Sequence, residues 1–148
     1  MSVLEAEVKE CLEQAEAAFS QGQPEFFHQF AEDAVIFTTD SPEPIKGREA
    51  YRQRYEAALA AHSREKTILD RKIQIVGDKA VVTQKARITQ DETIATVSQT
   101  LVYGATSEGL KVLHSQTSLL TPQVSGDTTV KVINERIASV ADVVGVAQ

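Results

Sequence analysis

The pattern of apolar residues changes near residue 66, and this change constrains the fold more than any other feature of the sequence. Before it, apolar residues recur at helical spacing, both in residues 2–20 and after Gly47. After it come four stretches that are rich in β-branched residues and separated by short polar connections. Helices first and strands afterwards are typical of an α+β protein rather than of an alternating α/β fold. We therefore predict three N-terminal helices followed by a four-stranded antiparallel meander.

Start and stop signals bound the N-terminal elements. Ser2 forms a capping box with the glutamate three positions later, and Gly22 fits the position just past the helix end. Pro24 suits the first turn of a short second helix. The segment AVIFTT (34–39) predicts a strand, which ends at the prolines that follow, and Gly47 begins the third helix.

Composition narrows the class of protein. The 148 residues fit one compact domain, and the net charge of −6 comes without any run of lysines or arginines. Nucleic acid and membrane surfaces are therefore not expected partners. We see no secretory signal and no membrane-spanning apolar run, which predicts a cytoplasmic protein. Cys11 is alone, and metal and phosphate-loop motifs are absent, so we expect no disulfide and no cofactor.

The C-terminal residues 123–148 form a separate segment. Their apolar residues share one helical stripe: Val130, Ile133, Ile137, Val140 and Val144. The β-branched content leaves an added strand as an alternative. We assign residues 1–122 to the domain, and we expect residues 123–148 to be an amphipathic helix that covers the domain or a partner subunit.

The order of the elements resembles the nuclear transport factor 2-like superfamily over about residues 2–121, through the segments FAEDAVIF, PIKGREAYRQRY, IQIVGDKAVVTQKARITQ and HSQTS. That superfamily includes ketosteroid isomerases, SnoaL-like polyketide cyclases and the association domain of calcium/calmodulin-dependent kinase II. The resemblance implies a cystatin-like cone, in which a strongly curved antiparallel sheet wraps around the helices. It also implies that the turn SPEPIKG (41–47) lies at the mouth of the cone and aims Thr38 and Tyr55 at one cavity.

The resemblance and the residues themselves disagree about which face of strand 79–90 points inward. Matching this strand to the association domain and the isomerases implies an inward set of Val81, Thr83, Lys85 and Arg87. Taken alone, the strand would instead bury Ala80, Val82, Ala86 and Ile88, because lysine and arginine are almost never buried unpaired. Lys85 and Arg87 are then either ligands for an anion or solvated surface groups, and both alternatives stay open.

On the last two strands, the resemblance implies two further inward sets. One is Val97, Gln99, Leu101 and Tyr103, and the other is Leu113, Ser115, Thr117 and Leu119. The opposite face would mix apolar and uncharged polar residues, which suits a moderately polar subunit interface.

The chemical groups of ketosteroid isomerases are not retained in this sequence. Residue-by-residue carry-over places the catalytic base on Thr38, which cannot accept a proton near neutral pH. The oxyanion tyrosine falls on Gln14 or Ala15, and the oxyanion aspartate falls on Leu101. We therefore predict no ketosteroid isomerase activity and assign no catalytic residue. Asp40, two residues beyond the base position, is interpreted as a turn residue.

Three hypotheses about function follow. The first is a small-molecule-binding domain for an anionic, carboxylate-bearing ligand, whose binding residues would be Thr38, Tyr55, Lys85, Arg87, Gln99 and Thr117. The second is a homo-oligomerisation module, a dimer or larger, in which the pocket is vestigial. The third is a SnoaL-like cyclase, isomerase or lyase with an unidentified catalytic constellation.

Overall fold

The computed structural model describes residues 2–120, and their elements follow the predicted order. They are α1 (Val3–Gln21), a 3₁₀ segment (Pro24–Gln29), β1 (Phe30–Phe37), β2 (Ile45–Lys46), α2 (Arg48–Ala61), β3 (Glu65–Val76), β4 (Lys79–Gln90), β5 (Thr93–Thr106) and β6 (Gly109–Leu119). The α+β prediction is confirmed. Two details differ: the second helix is a 3₁₀ segment, and the predicted mouth loop contains the two-residue strand β2. The predicted extension at 123–148 lies outside the described residues.

The six strands form one open sheet in the order β2-β1-β6-β5-β4-β3. β3 to β6 pair antiparallel with their neighbours in sequence, which confirms the predicted meander. β1, which contains most of the strand predicted at AVIFTT, joins this sheet parallel to β6. Register shifts interrupt the β3–β4, β5–β6 and β1–β6 pairings, and such bulges bend strands and increase their twist.

Aromatic rings fill one half of the space between the helices and the sheet. The ring of Tyr51, which is fully buried, lies 5.4 Å from that of Phe27 and 5.2 Å from that of Phe30. Both contacts are edge-on, which is a favoured geometry for aromatic pairs. This cluster joins the 3₁₀ segment, β1 and α2, so it fixes the short elements against one another.

The buried side chain of Arg64 joins the ends of both helices. Its Nη1 donates to the carbonyl oxygen of Phe19 at 2.8 Å, and its Nη2 donates to that of Leu59 at 3.0 Å. Its Nε donates to Oε1 of Gln90 on β4 at 3.0 Å. The last carbonyls of a helix lack intrahelical partners and carry partial negative charge, so they satisfy a guanidinium well. Burial lowers the pKa of Arg64, and these acceptors offset that cost.

Gly22 lets the two helix ends approach each other closely. It ends α1 in the left-handed region with φ of 68°, and a Cβ added there would lie 2.6 Å from the carbonyl oxygen of Leu59. Gly77, in the turn between β3 and β4, has a similar φ of 63° but nothing within 4 Å of the same added atom. Substituting each glycine by alanine therefore distinguishes the cost of backbone strain, present at both positions, from that of steric overlap, present only at Gly22.

We predict that Gly22→Ala destabilises the protein more than Gly77→Ala. The Gly77 variant should lose about 1–2 kcal/mol, because only the left-handed conformation penalises the new side chain. The Gly22 variant should lose at least about twice as much, because its methyl group also meets a backbone oxygen that cannot rotate away. Urea unfolding of both variants measures the difference, and equal losses would show that the helix ends separate at no cost.

Candidate functional site

Three polar side chains meet just beyond the end of β1. The Tyr55 hydroxyl donates to Oδ1 of Asp40 and lies 3.3 Å from Oγ1 of Thr38. The Thr38 hydroxyl also donates to Oδ1 of Asp40, at 2.8 Å. Thr38 and Tyr55 are both buried, so they meet inside the protein. We call Thr38, Asp40 and Tyr55 the mouth cluster.

The two oxygens of Asp40 have different surroundings. Oδ1 accepts both hydrogen bonds of the mouth cluster, whereas Oδ2 lies 3.8 Å from Nη2 of Arg54, too far for a hydrogen bond. The Asp40 side chain is 21% exposed, so an incoming molecule can reach it. Burial, followed by the bond to Asp40, raises the pKa of Tyr55 to about 12, so the phenol keeps its proton. The cluster therefore fixes the Asp40 carboxylate through hydrogen bonds to Oδ1, while the side chain stays partly exposed.

Our sequence interpretation missed Asp40, which we took for a turn residue. Asp40 does lie in a turn, at residues 39–40 shortly after β1, so that interpretation holds for the backbone. Its place beside Tyr55 depends on α2, which is distant in sequence, so no local signal shows it.

A second line of polar groups crosses the inner face of the sheet. Nε2 of Gln84 donates to Oε1 of Gln99 at 2.8 Å, and Nε2 of Gln99 lies 3.4 Å from Oγ1 of Thr117. At the other end, Nε of Arg71 donates to Oε1 of Gln84 at 2.8 Å, and Arg71 also pairs with Glu16 on α1. These five residues thus link α1 to β3, β4, β5 and β6, and we call them the polar line.

The register of β1 on β6 brings the polar line towards the mouth cluster. Ile36 pairs with Ser115, and both are buried on the inner face. Two residues further along each strand come Thr38 and Thr117, which are also buried. Continuing the register places these two threonines side by side. The inner face is therefore polar at this end and aromatic at the other.

The predicted inward position of Lys85 and Arg87 is wrong. Both are exposed, whereas Gln84 and Ala86, which alternate with them, are only 5% and 0% exposed. Gln84 lies directly opposite Gln99, so these two share the inner face. Matching the strand to the superfamily shifted it by one residue, and such a slip exchanges the two faces. The alternative based on the burial preferences of the residues is confirmed.

A β-bulge corrects the inward set of β6. Val102 pairs with His114 while Tyr103 pairs with Val112, so Leu113 is the extra residue between them. Val112 is buried in place of the predicted Leu113, which is only half-buried. Beyond the bulge the predicted alternation returns, with Ser115 and Thr117 inside.

A small cavity lies beside the polar line, between α1 and the sheet. Its volume is about 10 Å³, and Glu16, Lys66, Gln84 and Leu101 are among its lining residues. This is room for about one water molecule. The Lys66 ammonium lies 5.6 Å from the centre of the Phe19 ring. Burial lowers the pKa of Lys66 to about 8, although the nearby Glu16 opposes this shift.

We predict that Lys66→Met raises stability at pH 7 by about 1–2 kcal/mol, because it removes a charge that burial disfavours. The pKa of Lys66 falls from 10.5 to about 8 on folding. Between these values the unfolded chain binds more protons, so the wild type gains stability as pH rises. The advantage of the variant should therefore shrink from pH 8 to pH 10.

Urea unfolding at pH 7, 8, 9 and 10 measures this effect, with the exposed Lys85→Met as the matched control. The control should keep a constant difference from the wild type. A Lys66→Met difference that does not change with pH would contradict the lowered pKa.

Metal and membrane sites were also considered. Within residues 2–120, no three histidine, cysteine, aspartate or glutamate side chains lie together in a way that could hold a metal ion. No helix in the same part of the chain is long and apolar enough to cross a membrane.

The family model of the SnoaL-like domain matches residues 8–122. The chain therefore belongs to the SnoaL-like domain family, within the nuclear transport factor 2-like superfamily that the element order resembles. No curated protein sequence matches it at a significant level.

Solved structures share this fold at low sequence identity. A nuclear transport factor 2-like protein of unknown function from Pseudomonas putida KT2440 has a TM-score of 0.73 and 18% identity, covering 83% of this chain and 92% of its own. A candidate scytalone dehydratase from Novosphingobium aromaticivorans gives 0.70 and 13%, with 84% and 91% covered. A candidate calcium/calmodulin-dependent protein kinase II association domain from Xanthomonas campestris gives 0.65 and 22%, with 80% and 88% covered. At these identities the likeness concerns the fold alone.

Proposed function

We propose that the chain binds a small molecule at the mouth cluster, and that this molecule carries a hydrogen-bond donor. One observation carries the proposal: Thr38 and Tyr55 hold Asp40 through one oxygen, while the Asp40 side chain is 21% exposed. Polar groups inside a protein cost free energy unless they are bonded, and a few fixed polar groups are typical of ligand sites.

The charge of the site favours a neutral or cationic ligand over the anion predicted from the sequence. That expectation depended on Lys85 and Arg87, which lie on the exposed face of β4. Asp40 repels anions and accepts hydrogen bonds from hydroxyl or amino groups. Arg54 offsets part of this charge, but its side chain is 45% exposed, so water screens the effect. Gln99 and Thr117 add neutral hydrogen-bonding groups on the adjoining wall.

A thermal-shift screen of small alcohols, amines and carboxylates tests this proposal. We expect a donor-bearing compound to stabilise the wild type, and Asp40→Asn to weaken its binding roughly tenfold or more, because a hydrogen bond to a charged group is lost. Tyr55→Phe should weaken binding less, since it only loosens the carboxylate.

Arg87→Ala is the matched control, and it should respond to ligands as the wild type does. Stabilisation by carboxylates that disappears in Arg87→Ala would contradict the proposal and restore the anionic ligand.

Acid–base catalysis is a second candidate function, and the same cluster favours it. A carboxylate held in place and open on one side is the arrangement that a general base needs. Among the proteins of similar fold, one is named as a candidate dehydratase and another as a candidate ketosteroid isomerase. The base would be Asp40, not the residue at the isomerase position, which is Thr38.

The measurement for this candidate is deuterium exchange at the α-carbon of a small ketone, followed by NMR in D₂O. We expect exchange to be faster with the wild type than without protein, and to fall at least roughly tenfold in Asp40→Asn. Equal rates for the two proteins would remove Asp40 as a base.

The homo-oligomer stays a prediction. One similar structure is named as a kinase association domain, which is consistent with assembly. Exposed apolar residues include Ile75 and Val76 beside the β3–β4 turn and Ile94 beside the β4–β5 turn. These turns lie at opposite ends of the long strand β4, so the three side chains do not form one patch.

A further inference from the structure

Tyr103 is a buried polar residue outside the mouth cluster and the polar line. Its side chain is fully buried, and its hydroxyl has no hydrogen-bond partner among the described residues. Burial raises the pKa of Tyr103, and the nearby Cys11 thiol adds to this, so the phenol stays protonated and able to donate. Buried hydroxyls in folded proteins nearly always have a hydrogen-bond partner, so we expect the Tyr103 hydroxyl to bind an acceptor.

A cavity of about 110 Å³ lies beside this tyrosine, between α1, the 3₁₀ segment and the β5–β6 hairpin. Tyr103, Cys11, Ala15 and Leu110 line it, and Gln29 adds an amide. The volume is of the same order as that of a cavity known to hold benzene, so a molecule of about one small ring would fill it. Gln14, Glu25, His28 and Lys111 complete the lining, so the cavity joins an apolar side to a polar rim, with the Tyr103 hydroxyl as its buried donor.

This cavity is separate from the mouth cluster. Tyr103 pairs with Val112, and Val112 pairs with Phe30 at the start of β1. Thr38 lies beyond the opposite end of the same strand. The two places are therefore at different ends of the inner face of the sheet.

The surroundings of the cavity favour an uncharged occupant. Burial, together with Glu10 and Glu7, raises the pKa of the Cys11 thiol, so the thiol stays neutral. The Lys111 ammonium, which also borders the cavity, donates to the carbonyl oxygen of His28 at 2.7 Å. Glutamates on α1 add negative potential, which disfavours anions.

We propose that this cavity is a second binding site, which takes a small neutral molecule whose hydroxyl or carbonyl oxygen accepts a hydrogen bond from Tyr103. The apolar body of the molecule packs against Ala15, Leu110 and the Cys11 thiol. The bound oxygen gives the buried hydroxyl of Tyr103 the partner that the described protein groups do not supply.

Phenol and toluene are the probes that test this site, because they differ only by a hydroxyl in place of a methyl group. Each is titrated into the ¹⁵N-labelled full chain and followed by NMR. We expect saturable shifts at the amides of Cys11, Tyr103 and Leu110. Tyr103→Phe should weaken phenol binding roughly fivefold and leave toluene binding unchanged, because only phenol uses the hydroxyl.

Two further measurements complete the test. Lys85→Ala, on the exposed face, is the matched control and should bind phenol as the wild type does. Without ligand, Tyr103→Phe should melt at a higher temperature than the wild type, because the variant lacks the unpartnered hydroxyl. The same melting curve shows that the variant folds. Absence of saturable shifts at these amides, or equal affinity of the wild type and Tyr103→Phe for phenol, would overturn the proposal and leave a cavity that holds water only.

Discussion

The arrangement of this domain depends on a single buried guanidinium. Arg64 receives the carboxyl ends of both helices and the side chain of Gln90 on β4, so three elements share one set of hydrogen bonds. A lysine could not replace it, because an ammonium lacks the planar fork that reaches several acceptors at once. Tyr55 lies one helical turn before Leu59, whose carbonyl Arg64 binds. The position of Tyr55 along the sheet therefore depends on the bond between Arg64 and Leu59, which lies outside the mouth cluster.

The interior has an aromatic part and a polar part. Rings around Tyr51 fill the part that joins the short elements, where burial of apolar surface supplies stability. The glutamines, threonines and ion pair of the polar line occupy the other part, where every group needs a specific partner. Such networks restrict side chains to one arrangement. The polar part is therefore suited to binding a ligand, and the aromatic part stabilises the fold around it.

The sequence was sufficient for the elements and for their order. The Ser2 cap and the Gly22 stop are local signals, and each is where it was expected. These features depend on neighbours in the chain, which a single sequence displays.

The remaining errors involve partners distant in sequence. Lys85 and Arg87 were placed inside by matching to a superfamily in which one residue of slip reverses a strand, although their own charge favoured the surface. The bulge at Leu113 depends on how β6 meets β5 and has no local signature. Asp40 became part of a site only because α2 brings Tyr55 to it. On β4, the burial preferences of the residues were therefore a better guide than the resemblance.

The topology also affects how the domain can be made. Among the strands of residues 2–120, the ribbon of β1 and β2 pairs with the others only through β6, the last of the six in sequence. As the polypeptide leaves the ribosome, Phe30–Phe37 must wait for Gly109–Leu119, some eighty residues later, before it gains its second neighbour. Until then its apolar side chains and its unpaired backbone groups are open to other molecules. A chain that ends before β6 would leave the β1–β2 ribbon unpaired with the meander, and unpaired strand edges favour aggregation.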